Sequence, residues 1–530
     1  MREEAAQMGT YLNPGNLGFK EIIAGEYVDK TGLISLINRT IGTKQKLTCI
    51  SRPRRFGKSY AAQMLSAYYG KNCDSAALFK DYEISGDPSY LKHLNRYDVI
   101  YVDMTYLKPF TDGYRALASY LTAKLTEELK AEYPSLEVSN ELPATMISAA
   151  ELTGNRFVMI IDEWDAPIRE EPAIEKEYLE FLRTLFKSSQ TVPRIFAAVY
   201  MTGILPIKKD GSQSAISDFE EYTMLDPAEF ARYVGLTEPE VKRICRDFNA
   251  DFDKMKLWYD GYHLEGVGSV YNPNSVIKAA RSNTFRSYWT QTSAAESLMG
   301  YLGRDEKGLG KTIAELIGGI EVEVDTNGFA NDLITFRDKD DVLTLLVHLG
   351  YLAYDEERQT VSIPNEEIRL EFTKAVRKVK NSDTMQRVCE SDQLIYDTVH
   401  QNADAVAAAI ERIHREETSP LHYNREDSLR SVIKLAYFSY KDQYIKMEEL
   451  PSGNGYADIV YLPKPRSAYP ALIVELKWNR SAKGAIDQIK ARHYPDILKD
   501  IGSDILLVGI NYDKDAPAGE RKHSCIIEKI

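Results

Sequence analysis

Lys46-Leu47-Thr48-Cys49-Ile50-Ser51-Arg52-Pro53-Arg54-Arg55-Phe56-Gly57-Lys58-Ser59 is the stretch on which the fold turns. Residues 46–50 read as a buried strand, and a helix is expected over 58–69. Between them lies a polar turn ending in Gly57-Lys58-Ser59. A strand feeding a helix through such a turn aims backbone N–H groups and the helix N-terminus at phosphates. The lysine adds a point charge, and the serine hydroxyl can ligate Mg²⁺. Arginine occupies position 52, where the first glycine of such a loop usually stands. Arg54, Arg55 and Phe56 complete the loop and are candidate ligand contacts.

Downstream, Phe157-Val158-Met159-Ile160-Ile161-Asp162-Glu163 is an apolar strand ending in two acids. Paired with the loop, it gives the Walker A and Walker B arrangement. Asp162 is then a candidate Mg²⁺ ligand and Glu163 a candidate for polarising the attacking water. Further strands are expected at 99–104 and 195–201, and a helix over 114–133. Strands alternating with helices imply a doubly wound, mostly parallel sheet. Thr202 closes the last of these strands, and reads either as a sensor of the γ-phosphate or as a plain strand-end turn. Gly308-Leu309-Gly310-Lys311-Thr312 also ends like a Walker A loop. It follows a charged run instead of a strand, so it lacks a rigid base and is rejected.

The chain has 530 residues, which predicts three or four cores. Its net charge is -13, so the whole molecule is not a basic nucleic-acid binder. Residues 421–530 carry a net charge of about +2, which permits local phosphate contact. Five cysteines without a C-x-x-C pair argue against a disulfide scaffold or zinc ribbon. Residues 1–18 lack an apolar leader, and no run approaches the roughly 18 apolar residues of a membrane span. No membrane partner is expected, and the cytoplasm is the expected compartment.

The pattern turns mainly helical and irregular over 226–333. A short apolar helix at 341–349 then ends at Gly350, followed by two short strands around Asp355-Glu356-Glu357-Arg358. This predicts a winged-helix-like unit over 334–380, with a helical linker to 420. Its turn is too acidic for a DNA-reading wing, so an intramolecular or protein contact is expected.

From 421 the expected order is helix, strands, helix, strand. Asp458 lies on one strand, and Glu475 and Lys477 lie two apart on the next, sharing a face. Two carboxylates can hold Mg²⁺ or Mn²⁺, and a lysine can orient the water that attacks phosphorus. Gln488, on the following helix, can reach back to them. Glu426, on the preceding helix, is either a further carboxylate or a surface charge.

With these motifs in place the sequence resembles a prokaryotic family that fuses an AAA-ATPase-like domain to a PD-(D/E)XK nuclease superfamily domain. Residues 19–30 and 52–59 look like its opening signature, and Trp258-Tyr259-Asp260-Gly261-Tyr262 and Tyr271-Asn272-Pro273-Asn274-Ser275 like its middle blocks. Pro364-Asn365-Glu366-Glu367-Ile368-Arg369 and Glu475-Leu476-Lys477-Trp478-Asn479 look like its later ones. The resemblance implies a P-loop NTPase domain over 15–225, a helical lid-like region over 226–333 and a restriction-endonuclease-like αβ domain over 421–530. It also implies ATP in preference to GTP, and nucleic acid, DNA above all, as partner. Three readings stay open: an ATP-controlled nuclease in defence or mobile-element biology, a nucleotide-dependent signalling switch, and a DNA-binding module with an inactive nuclease fold. Whether the chain forms a homo-oligomer is open too.

Overall fold

The computed structural model describes residues 9–207, 209–210, 213–214, 216, 218–289, 309–327, 329, 336–378, 383–417, 426–442, 444–452, 455–464, 469–492, 504–517 and 520–530. Among these, residues within Met1–Thr290 and Val324–Ile368 form one compact unit. Those within Gln291–Glu323 and Arg369–Ile530 form a second.

The first unit is built on five strands: β1 (Leu47–Ser51), β2 (Asp98–Asp103), β3 (Phe157–Asp162), β4 (Phe196–Gly203) and β5 (Glu220–Tyr222). Their order is β2-β3-β4-β1-β5, and every pairing is parallel. Strands β1, β3 and β4 are buried along their whole length. That is why they read as continuous apolar runs and not as alternating ones. The core joins strand residues such as Cys49, Ile161 and Met201 to Leu121, Leu125 and Leu129 of the helix Leu117–Glu132. The leucines recur every four residues, which puts them on one helical face.

Within 226–333, expected to be mainly helical and irregular, the described residues of this unit also hold short strands. Strands β6 (Leu236–Thr237), β7 (Tyr262–Leu264) and β8 (Gly268–Tyr271) form an antiparallel sheet with β8 in the middle. Strands of two to four residues are too short to show a period of two in the sequence. The helix Lys339–His348 ends before Gly350, whose φ is +81°. It leads into the antiparallel hairpin β9 (Ala353–Asp355) and β10 (Thr360–Ser362). The expected helix-then-hairpin order is present here, and the helix Glu366–Lys378 follows.

The second unit holds a sheet in the order β11 (Tyr444–Ser452), β12 (Gly455–Pro463), β13 (Ala471–Trp478), β14 (Ile505–Tyr512) and β15 (His523–Lys529). Only β13 and β14 run parallel; the other neighbours are antiparallel. The parallel pair is joined through the helix Ala482–Ala491, which packs Ile486 and Ile489 on Ile473 and Leu507. One more strand closes this sheet than the sequence pattern led us to expect. The rejected Walker-like run falls at the start of the helix Leu309–Gly318, and residues 290–308 before it lie outside the described residues. Arg369 donates to the Ile317 carbonyl at 2.8 Å, so that helix belongs with the second unit and not with the lid-like region. No helix among the described residues is long and apolar enough to cross a membrane.

Candidate nucleotide and nuclease sites

In the first unit, β4 lies between β1 and β3. The loop after β1 and the acids after β3 therefore meet across the C-terminal end of β4. This is the crevice where open parallel sheets bind ligands. Gly57 caps the helix Lys58–Tyr69 with φ +92°, a conformation that L side chains rarely adopt. A cavity of about 580 Å³ opens there, lined by Gly57, Lys58, Ser59, Glu163, Tyr27 and Lys30 among others.

Lys58 is buried, and its Nζ donates to the Pro53 carbonyl at 3.0 Å. Asp162 is 2% exposed. Its Oδ2 accepts from the Tyr101 hydroxyl at 3.3 Å, whereas Oδ1 has no hydrogen-bond partner among the described residues. Burial pushes its carboxyl up to about 6, against a hydrogen bond from Ser59 that pulls it down. The Thr202 hydroxyl is likewise buried without a partner among the described residues. An unbonded carboxylate oxygen next to a serine hydroxyl and a lysine suits a divalent cation carried by a polyphosphate.

The three residues before Gly57 are placed differently. Arg55 lines the cavity, yet its guanidinium donates to the Tyr288 carbonyl at 2.7 Å. The Arg54 carbonyl accepts from Asn272 at 3.3 Å, and burial lowers the pKa of the Arg54 guanidinium. Phe56 is buried and sits edge-on to Tyr262, 5.4 Å between ring centroids. The geometry thus brings Gly57, Lys58, Ser59, Asp162, Glu163 and Thr202 together. It turns the Arg55 guanidinium and Phe56 toward the middle segment of the same unit, while the Arg54 guanidinium stays within electrostatic reach of Glu163 and Asp165.

Position 52 has a physical explanation. Arg52 is fully buried, and its guanidinium donates to the carbonyls of Ser51 and Tyr222 at 3.0 and 3.1 Å. Its backbone N–H bonds Gly203, so residue 52 extends the β1–β4 pairing and need not yield space to a ligand. Burial lowers its pKa to about 10.

In the second unit, β12 and β13 pair Ile459 with Val474, and one step further sets Asp458 beside Glu475. Asp458 Oδ2 accepts the Leu476 N–H at 2.9 Å, and Oδ1 accepts from Arg430 at 2.8 Å. Glu475 is 2% exposed; its Oε1 takes Lys477 Nζ at 3.0 Å and the Gln488 amide. Its Oε2 is buried with no partner among the described residues. Burial and then the charge of Asp458 raise the Glu475 pKa, while Lys477 pulls it down. The structure therefore gathers Asp458, Glu475, Lys477 and Gln488. An unbonded Glu475 oxygen beside a second carboxylate suits a divalent cation whose remaining ligands are water. Among the described residues no third His, Cys, Asp or Glu joins them. The side chain of Glu426 lies outside the described residues.

Sequence reading missed two cationic partners. Arg430 stands one helical turn after Glu426 and is the residue that meets Asp458. Arg169 pairs with both Glu163 and Asp165. The i,i+4 spacing of Asp165 and Arg169 was the signal available for it.

Comparison with known proteins agrees with this layout. Residues 15–212 match the AAA-ATPase-like family, described as predicted AAA-ATPase. Residues 424–518 match the PD-(D/E)XK nuclease superfamily. The chain thus joins an AAA-ATPase-like domain to a PD-(D/E)XK nuclease superfamily domain. It is 26% identical over 289 residues to an uncharacterized protein in the vnfD 5' region of Azotobacter chroococcum mcd 1. That match covers 52% of each, so the chain spans about half the length of the curated relative it matches. Solved structures similar to it include the Aeropyrum pernix ORC2 protein in ADPNP–ADP complexes, at 13% identity and a TM-score of 0.31, covering 68% of this chain and 99% of that one. Another is the Aeropyrum pernix ORC1 protein in complex with DNA, at 11% identity and a TM-score of 0.25, covering 69% and 97%.

Proposed function

We propose that the first domain binds and hydrolyses ATP with Mg²⁺, and that its nucleotide state governs a Mg²⁺- or Mn²⁺-dependent nuclease in the second. The observation that carries this is the unbonded, buried Asp162 oxygen beside the Gly57-Lys58-Ser59 turn and the cavity. Lys58 and the N–H groups of the turn would hold the phosphates, and Ser59 and Asp162 the cation. When bound, the cation neutralises phosphate charge. Glu163 would polarise the attacking water, and the Thr202 hydroxyl would donate to the terminal phosphate. Arg54, Arg55 and Phe56 connect this site to the middle segment. The winged-helix-like segment serves contacts. In the second domain Asp458 and Glu475 would hold the cation, Lys477 would position the water, and Gln488 would steady Glu475. Nucleic acid, DNA first, is the proposed partner, the cytoplasm the proposed compartment, and defence or mobile-element biology the proposed setting.

The test is nucleotide binding and hydrolysis by variants of the full chain. Lys58→Ala should abolish ATP binding; Glu163→Gln should bind ATP but hydrolyse it roughly 100-fold more slowly. Equal ATP affinity in wild type and Lys58→Ala would refute the reading. A second reading is a module that grips nucleic acid without cutting. It is favoured by the internal partners of both acids, Arg430 on Asp458 and Lys477 with Gln488 on Glu475. Plasmid nicking that requires Mg²⁺ or Mn²⁺ and is lost in Glu475→Gln would exclude it.

A further inference from the structure

Glu163 stands in an unusual setting. Its φ is +53°, the left-handed region that a glutamate rarely adopts and that recurs at functional sites. Two hydrogen bonds hold this conformation: Trp164 N–H to the Thr202 carbonyl and Ala166 N–H to the Glu163 carbonyl, both 2.9 Å. The side chain then lies between two cations. Oε1 is 3.7 Å from Lys58 Nζ, and Oε2 is 2.7 Å from Arg169 Nη2.

The two cations are not equivalent. Lys58 is the residue proposed to engage phosphate, so its attraction for Glu163 competes with that role. Arg169 is anchored independently of Glu163. Its Nε donates at 2.7 Å to Oδ2 of Asp165, four residues back and immediately before the short helix Ala166–Glu170. Asp165 is fully buried and also accepts the N–H groups of Ile204 at 3.2 Å and Leu205 at 3.0 Å. Those two residues follow directly on Thr202 and Gly203 at the end of β4. A continuous chain of contacts therefore runs from the exit of β4 through Asp165 and Arg169 to one oxygen of Glu163. Three carboxylates, Asp162, Glu163 and Asp165, crowd within four residues. Without the guanidinium, Glu163 is left to Lys58, 3.7 Å away, and to the attraction of Arg54.

We propose that Arg169 is a positioning residue for hydrolysis: it fixes Oε2 of Glu163 so that the carboxylate keeps its aim at the water instead of closing onto Lys58. This rests on the reading above that Glu163 serves hydrolysis. Asp165 presets Arg169 and ties it to the strand that carries Thr202. A charge-assisted bond from a rigid guanidinium suits this task, because its fork geometry fixes direction as well as charge.

The experiment compares wild type, Arg169→Met, Arg169→Lys, Glu163→Gln and the Glu163→Gln/Arg169→Met double variant in the full chain. Affinity for a non-hydrolysable ATP analogue, single-turnover hydrolysis and melting temperature are measured for each. Arg169→Met should lower the rate roughly 10–100-fold, the scale of a misaimed catalytic group, with affinity within about twofold of wild type. Arg169→Lys should fall between. In the Glu163→Gln background, Arg169→Met should cost nothing further, since a positioning residue acts only through the group it holds. An equal loss in both backgrounds would overturn the proposal, as would a loss of affinity in parallel with the melting temperature. If Glu163→Gln is slow but Arg169→Met runs at full rate, this proposal falls and the reading of Glu163 stands. If Glu163→Gln itself turns over at the wild-type rate, both fall.

Discussion

Burial pushes the Asp162 carboxyl up to about 6, well above its ordinary value of 3.8. A folded-state pKa raised above the unfolded one means that the folded chain binds the proton more tightly. The resulting stability is complete below about pH 4 and is lost as pH rises through about 6. Above that, the nucleotide-free protein carries a buried charge with one unbonded oxygen. Asp162→Asn should therefore raise the melting temperature of the nucleotide-free protein at pH 8, by the equivalent of about 1–3 kcal/mol, and leave it unchanged near pH 4. Thermal melts across pH check this, and an equal effect at both ends would refute it. Glu475 and Lys477 permit a second prediction. Lys477 donates to the Glu475 oxygen that also takes the Gln488 amide, leaving the other oxygen unbonded. Lys477→Ala should keep Mn²⁺ binding and slow cleavage by roughly 100-fold or more. Glu475→Gln should lose both, as titration calorimetry and plasmid nicking would show.

At the scale of elements, the turn after the helix Lys339–His348 constrains the loop that ends in Lys58. Gly350 has φ +81°, and a Cβ there would lie 2.6 Å from the Pro53 Cβ and 3.2 Å from the Trp289 ring. The Gly350 carbonyl also accepts the Tyr262 hydroxyl at 2.6 Å, and Tyr262 packs on Phe56. Gly350→Ala should cost about 2 kcal/mol in stability, from the left-handed backbone and the crowding together. Because Pro53 must yield, ATP affinity should fall too, although residue 350 lies far from the motif in sequence. Alanine at the exposed Gly42, whose Cβ meets nothing within 4 Å, carries the backbone strain alone and should leave affinity intact. Equal affinities for the two variants would refute this coupling.

At the scale of the molecule, two compact units predict two calorimetric transitions. With Mg²⁺ present throughout, added ATP should raise only the transition of the unit that carries Lys58, by about 3 kcal/mol at a hundredfold excess over Kd. In Lys58→Ala the shift should vanish while the other transition stays where it was. A single transition moved as a whole by ATP would contradict this independence.

The sequence alone placed four of the five strands of the parallel sheet, but not β5, and set the spacing between the Gly57-Lys58-Ser59 turn and the Asp162-Glu163 pair. It could do so because a sheet buried on both faces writes itself as uninterrupted apolar runs, and a glycine–lysine–serine turn has few other uses after such a strand. It equally placed Asp458, Glu475 and Lys477, since a two-residue spacing on one strand fixes a common face. What it could not carry were contacts closed by long-range packing. The two-to-four-residue strands β6–β8 have no period to read. The helix Leu309–Gly318 joins the second unit through a bond to Arg369, 52 residues from its carbonyl partner. Arg430 and Arg169 went unassigned, because an arginine on a helix announces neither its rotamer nor its partner. Only the tertiary structure decided that one guanidinium meets Asp458 and the other Glu163, since that depends on which helix face the strand ends meet.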